Sequence, residues 1–505
     1  MKLLPDSRKS LISNAVGIPS AALLKRVDAL LLLLPAGGEA ALATLAHGAT
    51  LVRERARLRR APGSLWSVTL PTPRGTRVVV GELPADADAY QTLALSGRMV
   101  QRLASDEPAR VALASLGKSA AGDAGPQGAL LAAVLAATES RPAQKSKPAR
   151  GWRLTEIVVC GRMDLPTAVA IEQGAHLTRW LTALPPNVLY PGSYRRALTV
   201  LAKRHGWRMR VYSEAALRRL GAGAYTAVAR GSRRRDAALV HLEYRPRGTR
   251  RGAQRPIALV GKGICFDTGG HNIKSAKSMF DMHTDMNGSA VAVGALAALS
   301  SSGYPGPVDA WLALAENRIG PDAYTQQDVV TAVNGTTIQV THTDAEGRMV
   351  LADTLALASR TRPACILDFA TLTGACVYAL TERMSGAFTN RAALRPLLEG
   401  AGARSGERVW NFPMPADFDQ DLESPTADIV QCLLDGKGDH IYAARFLSRF
   451  VADGIPWAHI DLSSAARAGG LAHVTTPVTG FGVRLTVALL ADPEFHRAIR
   501  DTARR

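Results

Sequence analysis

The six residues Thr343-Asp344-Ala345-Glu346-Gly347-Arg348 place two acids and an arginine between an apolar run at 336–340 and a strongly helical stretch. Two acids one residue apart at the mouth of a strand can both face a cation. An arginine opening the next helix sits beside an anion-friendly terminus. The same hexapeptide also reads as a polar strand-to-helix loop in which Asp344 merely caps the helix. A second segment adds weight to the chemical reading: Gly261-Lys262-Gly263-Ile264-Cys265-Phe266-Asp267-Thr268-Gly269-Gly270 follows the apolar run 257–260, with Lys274 and Asp285 downstream. One site could then draw on Lys262, Asp267, Asp285, Asp344 and Glu346.

Four carboxylates in a partly buried cleft repel one another and rise in pKa unless cations neutralise them. Two divalent ions carry enough charge, and acids shared between them would hold the ions roughly 3.5 to 4 Å apart. Lys262 can join only as a neutral amine, which a nearby dication permits by driving off the ammonium proton. With no His and no Cys among these residues, the set suits Mn²⁺, Mg²⁺ or Zn²⁺ over softer ions. A phosphate loop is a poor alternative for Lys262, because the G-x-x-x-x-G-K-[ST] pattern is absent and no Ser or Thr follows the lysine.

Positioning these groups calls for two buried strands that each empty into a polar loop, so that both loops converge at the carboxyl edge of one sheet. The patterning supplies such elements. Helical patterns at 168–183 and 288–300 alternate with apolar runs at 308–315, 366–370 and 458–462 that suit buried strands. Upstream, β-like runs at 67–70 and 76–80 mix with Ala/Leu-rich helical stretches at 40–46, 90–103 and 128–137. A proline-rich, charged stretch at 139–148 marks the boundary. The predicted class is α/β: a small N-terminal α/β domain over 1–140, a connecting segment over 141–164, and a larger α/β domain over 165–505. The larger domain is expected to hold a mixed, largely parallel sheet flanked by helices.

These segments resemble the cytosolic leucyl aminopeptidase family, dinuclear metallo-exopeptidases whose signature N-T-D-A-E-G-R-L appears here as His342-Thr343-Asp344-Ala345-Glu346-Gly347-Arg348-Met349. The family's G-K-G-x-x-F-D-[ST]-G-G loop, its downstream lysine and its M-x-x-D-M-x-G-[AS]-A segment match 261–270, Lys274 and 282–290. Its D-x-A-T-L-T-G-A matches 368–376. The likeness covers roughly residues 165–495. It implies that one ion is held by Asp267, Asp344 and Glu346, and the other by Lys262, Asp267, Asp285 and Glu346. It further implies that Lys274 binds the scissile carbonyl and its oxyanion, and that Arg348 holds a bicarbonate acting as general base. Met282, Thr371, Leu372 and Gly374 would shape the pocket for the N-terminal side chain. The expected cofactors are two divalent ions, Mn²⁺ or Zn²⁺, with bicarbonate. The expected partners are peptides with a free N-terminus, and five further copies of the chain in a homohexamer whose sites face an inner cavity.

Two departures from the family pattern stand out. His342 replaces the usual Asn, and Gly438-Asp439-His440-Ile441-Tyr442-Ala443 replaces a Gly/Ala/Thr-rich stretch near the side-chain pocket. Asp439 and His440 are therefore expected to alter which N-terminal side chain is preferred.

Composition bounds the remainder. At 505 residues and 47% apolar, the chain is too long for one core and ordinary for a globular enzyme. The leucine run at 30–34 is closed by Pro35, too short for a signal or a membrane span. Five scattered cysteines without a C-x-x-C pair suit reduced thiols and a cytoplasmic location. A net charge of +18, with arginine clusters at 53–60, 233–235, 245–255 and 500–505, would attract nucleic acid or anionic surfaces. No helix-turn-helix, zinc-finger or RNA-binding signature accompanies it. The alternative to an active peptidase is thus a basic DNA- or surface-binding scaffold with reduced activity. Retention of all five ligand residues, Lys274 and Arg348 favours the enzyme.

Overall fold

The computed structural model describes residues 1–6, 10–58, 64–116, 125–142, 152–248 and 254–501. Most of the proline-rich boundary stretch (143–148) and parts of the arginine clusters (59–60, 249–253 and 502–505) lie outside the described residues.

The leucine run becomes the middle of a sheet. Strands β1 (Leu11–Ala15), β2 (Ala29–Pro35), β3 (Leu65–Thr69), β4 (Arg77–Leu83), β5 (Arg110–Ser115) and β6 (Glu156–Cys160) assemble in the order β1-β6-β5-β2-β4-β3. All pairs are parallel except β3 with β4. A strand covered on both faces can be apolar at every position. In β2, Leu31 and Leu33 enter one core cluster, while Leu30, Leu32 and Leu34 enter another on the opposite face. The segment expected to connect the domains carries β6, which sits between β1 and β5 in this first sheet.

The second sheet is larger. Its first strands are β7 (Arg208–Ser213), β8 (Ala238–Tyr244), β9 (Ile257–Asp267) and β10 (Val308–Asn317), and four more follow later in the chain. Between them in the chain run β11 (Val329–Thr331) and β12 (Thr337–Gln339). The later strands are β13 (Cys365–Ala370), β14 (Ser385–Thr389), β15 (Val409–Asn411), β16 (Ile429–Val430) and β17 (Trp457–Asp461). The eight-stranded order is β15-β14-β17-β13-β9-β10-β8-β7, with a parallel centre and antiparallel pairings toward both sides. The mixed α/β class is as the patterning predicts, and the helices Leu165–Thr182 and Asn287–Ser301 form where helical periodicity places them.

Two positional expectations require correction. First, β9 does not end at residue 260 but continues to Asp267, so Lys262 lies within a central strand and not in a loop. Its polarity is tolerated because its ammonium is fully partnered, as shown below. Second, the apolar run at 336–340 does not belong to the main sheet: β12 pairs with β11 and β16 in a separate three-stranded sheet. The two acidic segments therefore arrive from different sheets.

Candidate metal centre

Lys262 and Asp267 are five residues apart on β9, an odd spacing that in a regular strand would send them to opposite faces. A bulge resolves this. Ile264 pairs with Ala315 and Asp267 with Asn317, so three steps on β9 match two on β10. The extra residue restores the parity and both side chains reach the same side. There they meet Glu346, the first residue of the helix Glu346–Ser359: Lys262 Nζ lies 2.9 Å from Glu346 Oε1, and Asp267, Asp344 and Glu346 offer oxygens within 4.8 Å of one another. Glycine at 347 is required by this approach, because a Cβ there would stand 2.7 Å from Lys262 Cε.

The fourth acid, Asp285, comes from the 3₁₀ turn Met282–Met286 that leads into the helix Asn287–Ser301. Its Oδ1 accepts from Lys262 Nζ (2.8 Å) and from Thr371 Oγ1 (2.8 Å), and the Thr371 carbonyl accepts a third Lys262 bond (2.9 Å). Lys274 makes the second cationic bridge, 2.9 Å from Asp267 Oδ2 and 2.5 Å from Asp344 Oδ1. Asp344 therefore does not cap the helix, whose N-cap residue is Ala345. The structure thus brings all five predicted ligand residues and Lys274 together.

The loops are stapled to one another. Thr343 N–H donates to Asn272 Oδ1 (2.9 Å), Asn272 N–H to Thr343 Oγ1 (2.8 Å), and Thr343 Oγ1 to the Gly269 carbonyl (2.6 Å). Asn317 Nδ2 donates to Asp267 Oδ1 (2.8 Å) and to the Thr343 carbonyl (3.0 Å), and Tyr324 Oη donates to that same carbonyl (2.7 Å). Asn317, Tyr324 and Thr343 were not among the predicted site residues. Asn317 had a readable signal, a polar residue closing an otherwise apolar strand.

Four carboxylates against two ammonium groups leave two negative charges in excess. Burial pushes the Asp285 carboxyl up to about 8, with Lys262 opposing and Glu346 and Asp267 reinforcing. Burial likewise pushes Asp344 up to about 7, with Asp267 and Glu346 adding to the rise and Lys274 resisting it. Burial alone would lower both lysines, yet the surrounding acids hold Lys262 and Lys274 above the ordinary ammonium range. Asp285 Oδ2 is buried and accepts no hydrogen bond. An oxygen-rich donor set with surplus negative charge and an unanswered buried carboxylate oxygen fits divalent cations.

The predicted pocket residues divide. Thr371 contacts Asp285, and Leu372 reaches the backbone at Gly347. Gly374 opens the helix Gly374–Leu380, and Met282 is the half-buried first residue of the turn carrying Asp285. Asp461, at the end of β17, was not anticipated: its Oδ1 accepts from Leu372 N–H (3.1 Å) and its Oδ2 from Thr373 Oγ1 (2.6 Å), holding the 371–373 segment in place. His440 packs edge-on against Phe412, ring centroids 4.5 Å apart.

Arg348 is buried. Its Nη2 donates to both oxygens of Asp439 (2.8 and 2.7 Å), and its Nη1 to the Gln431 carbonyl (3.3 Å). Asp439 thus points at Arg348. A cavity of about 790 Å³ lined by Trp152, Glu172, His176 and Arg204 shares no residue with this centre. Among the described residues no helix is long and apolar enough to cross a membrane. All five cysteines are free and buried.

Residues 176–487 match the family described as "Cytosol aminopeptidase family, catalytic domain". The chain is 34% identical over 472 residues to a probable cytosol aminopeptidase of Rhodopseudomonas palustris, covering 89% of this chain and 92% of that one. Among solved structures it is similar to the bottromycin maturation enzyme BotP in complex with Mn (32% identity, TM-score 0.80, 92% of this chain and 98% of that one). It is also similar to a tomato leucine aminopeptidase mutant (25% identity, TM-score 0.83, 96% and 98%).

Proposed function

The chain belongs to the cytosol aminopeptidase family and is a metallo-exopeptidase, and on that premise we propose that it removes the N-terminal residue of peptides at the Lys262–Asp267–Asp285–Asp344–Glu346 centre. The observation that carries this assignment is the surplus of buried carboxylates, with Asp285 Oδ2 left unanswered. One ion would be held by Asp267, Asp344 and Glu346, the other by Lys262, Asp267, Asp285 and Glu346. When bound, the two ions supply a water nucleophilic near neutral pH and Lewis-acid polarisation of the substrate.

The chain's own groups do the rest. Lys274 is oriented toward the centre by Asp267 and Asp344 and places a positive charge where the oxyanion develops, with preorganised electrostatics as its contribution. Thr371, Leu372, Gly374 and Met282 border the N-terminal side chain, with Asp461 fixing Leu372 and the neighbouring Thr373. The bicarbonate expected on Arg348 meets a guanidinium already engaged by Asp439.

The test is hydrolysis of a panel of aminoacyl-anilides by metal-stripped protein with Mn²⁺, Zn²⁺, Co²⁺ or Mg²⁺ restored. Turnover dependent on added metal is expected; no turnover with any metal defeats the assignment. The same reading makes 1–140 the N-terminal domain, 141–164 the connection, whose β6 completes that domain's sheet, and 165–505 the catalytic domain of a cytoplasmic homohexamer. The exposed Phe280, Tyr378, Trp410 and Leu434 side chains support assembly, and light scattering in solution checks it. Non-specific binding of nucleic acid is supported by the charge of +18, and no retardation of DNA at low salt would remove it.

A further inference from the structure

We infer that Asp439 supplies, within this chain, the carboxylate base that the family resemblance assigns to a bicarbonate on Arg348. The inference rests on the aminopeptidase assignment above. Its basis is a guanidinium whose two terminal nitrogens are both engaged, Nε being without a partner. Arg348 is 2% exposed, its Nη2 is bound by both Asp439 oxygens and its Nη1 by the Gln431 carbonyl. Gln431 is itself fixed, donating to the Ala345 carbonyl (2.9 Å) and accepting from the backbone of Thr341 and His342. A bicarbonate held by two guanidinium nitrogens would have to displace the Asp439 carboxylate from Nη2 or the Gln431 carbonyl from Nη1, since only Nε is without a partner, so the residues present do not fit that ligand. What they hold in its place is a carboxylate, an anion with the same paired oxygens, tethered to the protein.

The position suits the role. Asp439 opens the helix Asp439–Ser448, and its side chain keeps 24% exposure while that of Arg348 keeps 2%. One face of the carboxylate is therefore anchored and another is accessible. Gln431, whose carbonyl accepts from Arg348, also holds the backbone on both sides of Asp344, so the Arg348–Asp439 pair adjoins the loop that carries this ligand residue. Tethering also removes the entropic cost of recruiting a second small molecule.

The proton balance closes without a co-reactant. A water O–H bond breaks, its proton passes to an Asp439 oxygen, and the C–O bond forms at the scissile carbonyl. The C–N bond then breaks, the proton moves to the leaving amine, and Asp439 is ionised again.

The test compares wild type, Asp439→Gly and Asp439→Asn, each with metal restored, in CO₂-free buffer with and without added bicarbonate. Wild-type rates are expected to change less than about twofold on addition, whereas Asp439→Gly loses about 10²-fold or more and regains at least about tenfold with bicarbonate. Asp439→Asn loses as much without recovery, because its amide still covers the guanidinium. Binding of ¹³C-bicarbonate, read as NMR line broadening, is expected for Asp439→Gly and absent for wild type. A wild-type rate that rises about tenfold with bicarbonate, ¹³C broadening by wild type, or an Asp439→Gly rate within about twofold of wild type in CO₂-free buffer would each overturn the inference. If wild type itself turns over no substrate with any metal, the aminopeptidase assignment fails, and the ¹³C measurement still decides what Arg348 binds.

Discussion

The two large sheets share an architecture and differ in what they bury. The first is filled by aliphatic side chains from β2, β4 and β5, and its buried carboxylate, Glu82, is fully answered: Arg55 donates twice (3.0 and 2.9 Å) and Trp66 Nε1 once (3.0 Å). The second buries Lys262, Asp267, Asp285 and Glu346 in one cluster whose acids outnumber its cations. A layered α/β fold is therefore neutral about function. Chemistry enters where buried charge is left uncompensated by the protein, because such a site gains most from a ligand of opposite sign.

The comparison breaks most visibly at Glu346. Glu346→Ala is expected to lower kcat/KM at least about 10³-fold, the several kcal/mol that paired Lewis acids supply, with metal content falling in parallel by mass spectrometry. Lys274→Ala should cost about 10²–10³ in kcat while the protein still binds its metal, separating oxyanion stabilisation from ligation. In the first sheet, Leu31→Ala should lose about 2–5 kcal/mol of stability in denaturant titration, with kcat/KM of the folded protein unchanged. An activity defect matching the ligand variants would erase the distinction between the sheets.

The smallest effect is a pH dependence. Asp285 at about 8 and Asp344 at about 7 lie above the ordinary carboxyl value of 3.8, with burial the leading cause for both. Raised carboxyls bind protons more tightly when folded, so their contribution favours folding at low pH and is lost as pH rises through the folded values. Divalent ions need the ionised forms. The gain in thermal midpoint on adding Mn²⁺ to chelated protein should therefore grow from about pH 5 to about pH 8. A pH-independent gain would place the ions elsewhere.

Much of this was legible because it is local. Alternating apolar runs and helical patterns predict β10, β13 and β17, and the charged residues of 261–285 and 343–348 stand out by type and spacing. The β9 bulge was not legible, since its evidence is the register with β10, fifty residues away. The separate small sheet of β12 was equally hidden, because an apolar run does not say which strand it will pair with. Asn317 could have been suspected; Asp461 and Gln431 act through backbone groups that only folding brings near.

By itself, the sequence determined the candidate ligand residues, the chemistry they offer and the family, because side-chain type and short-range spacing are properties of the chain. Only the tertiary structure decided which partner each charge meets. Lys262 bridges Asp285 and Glu346, Lys274 bridges Asp267 and Asp344, and Arg348 closes on Asp439, 91 residues away. Such pairings depend on how two sheets and the intervening helices pack, and burial then turns each into a strong preference, since a charge removed from water must find its counterpart within the protein or in a ligand.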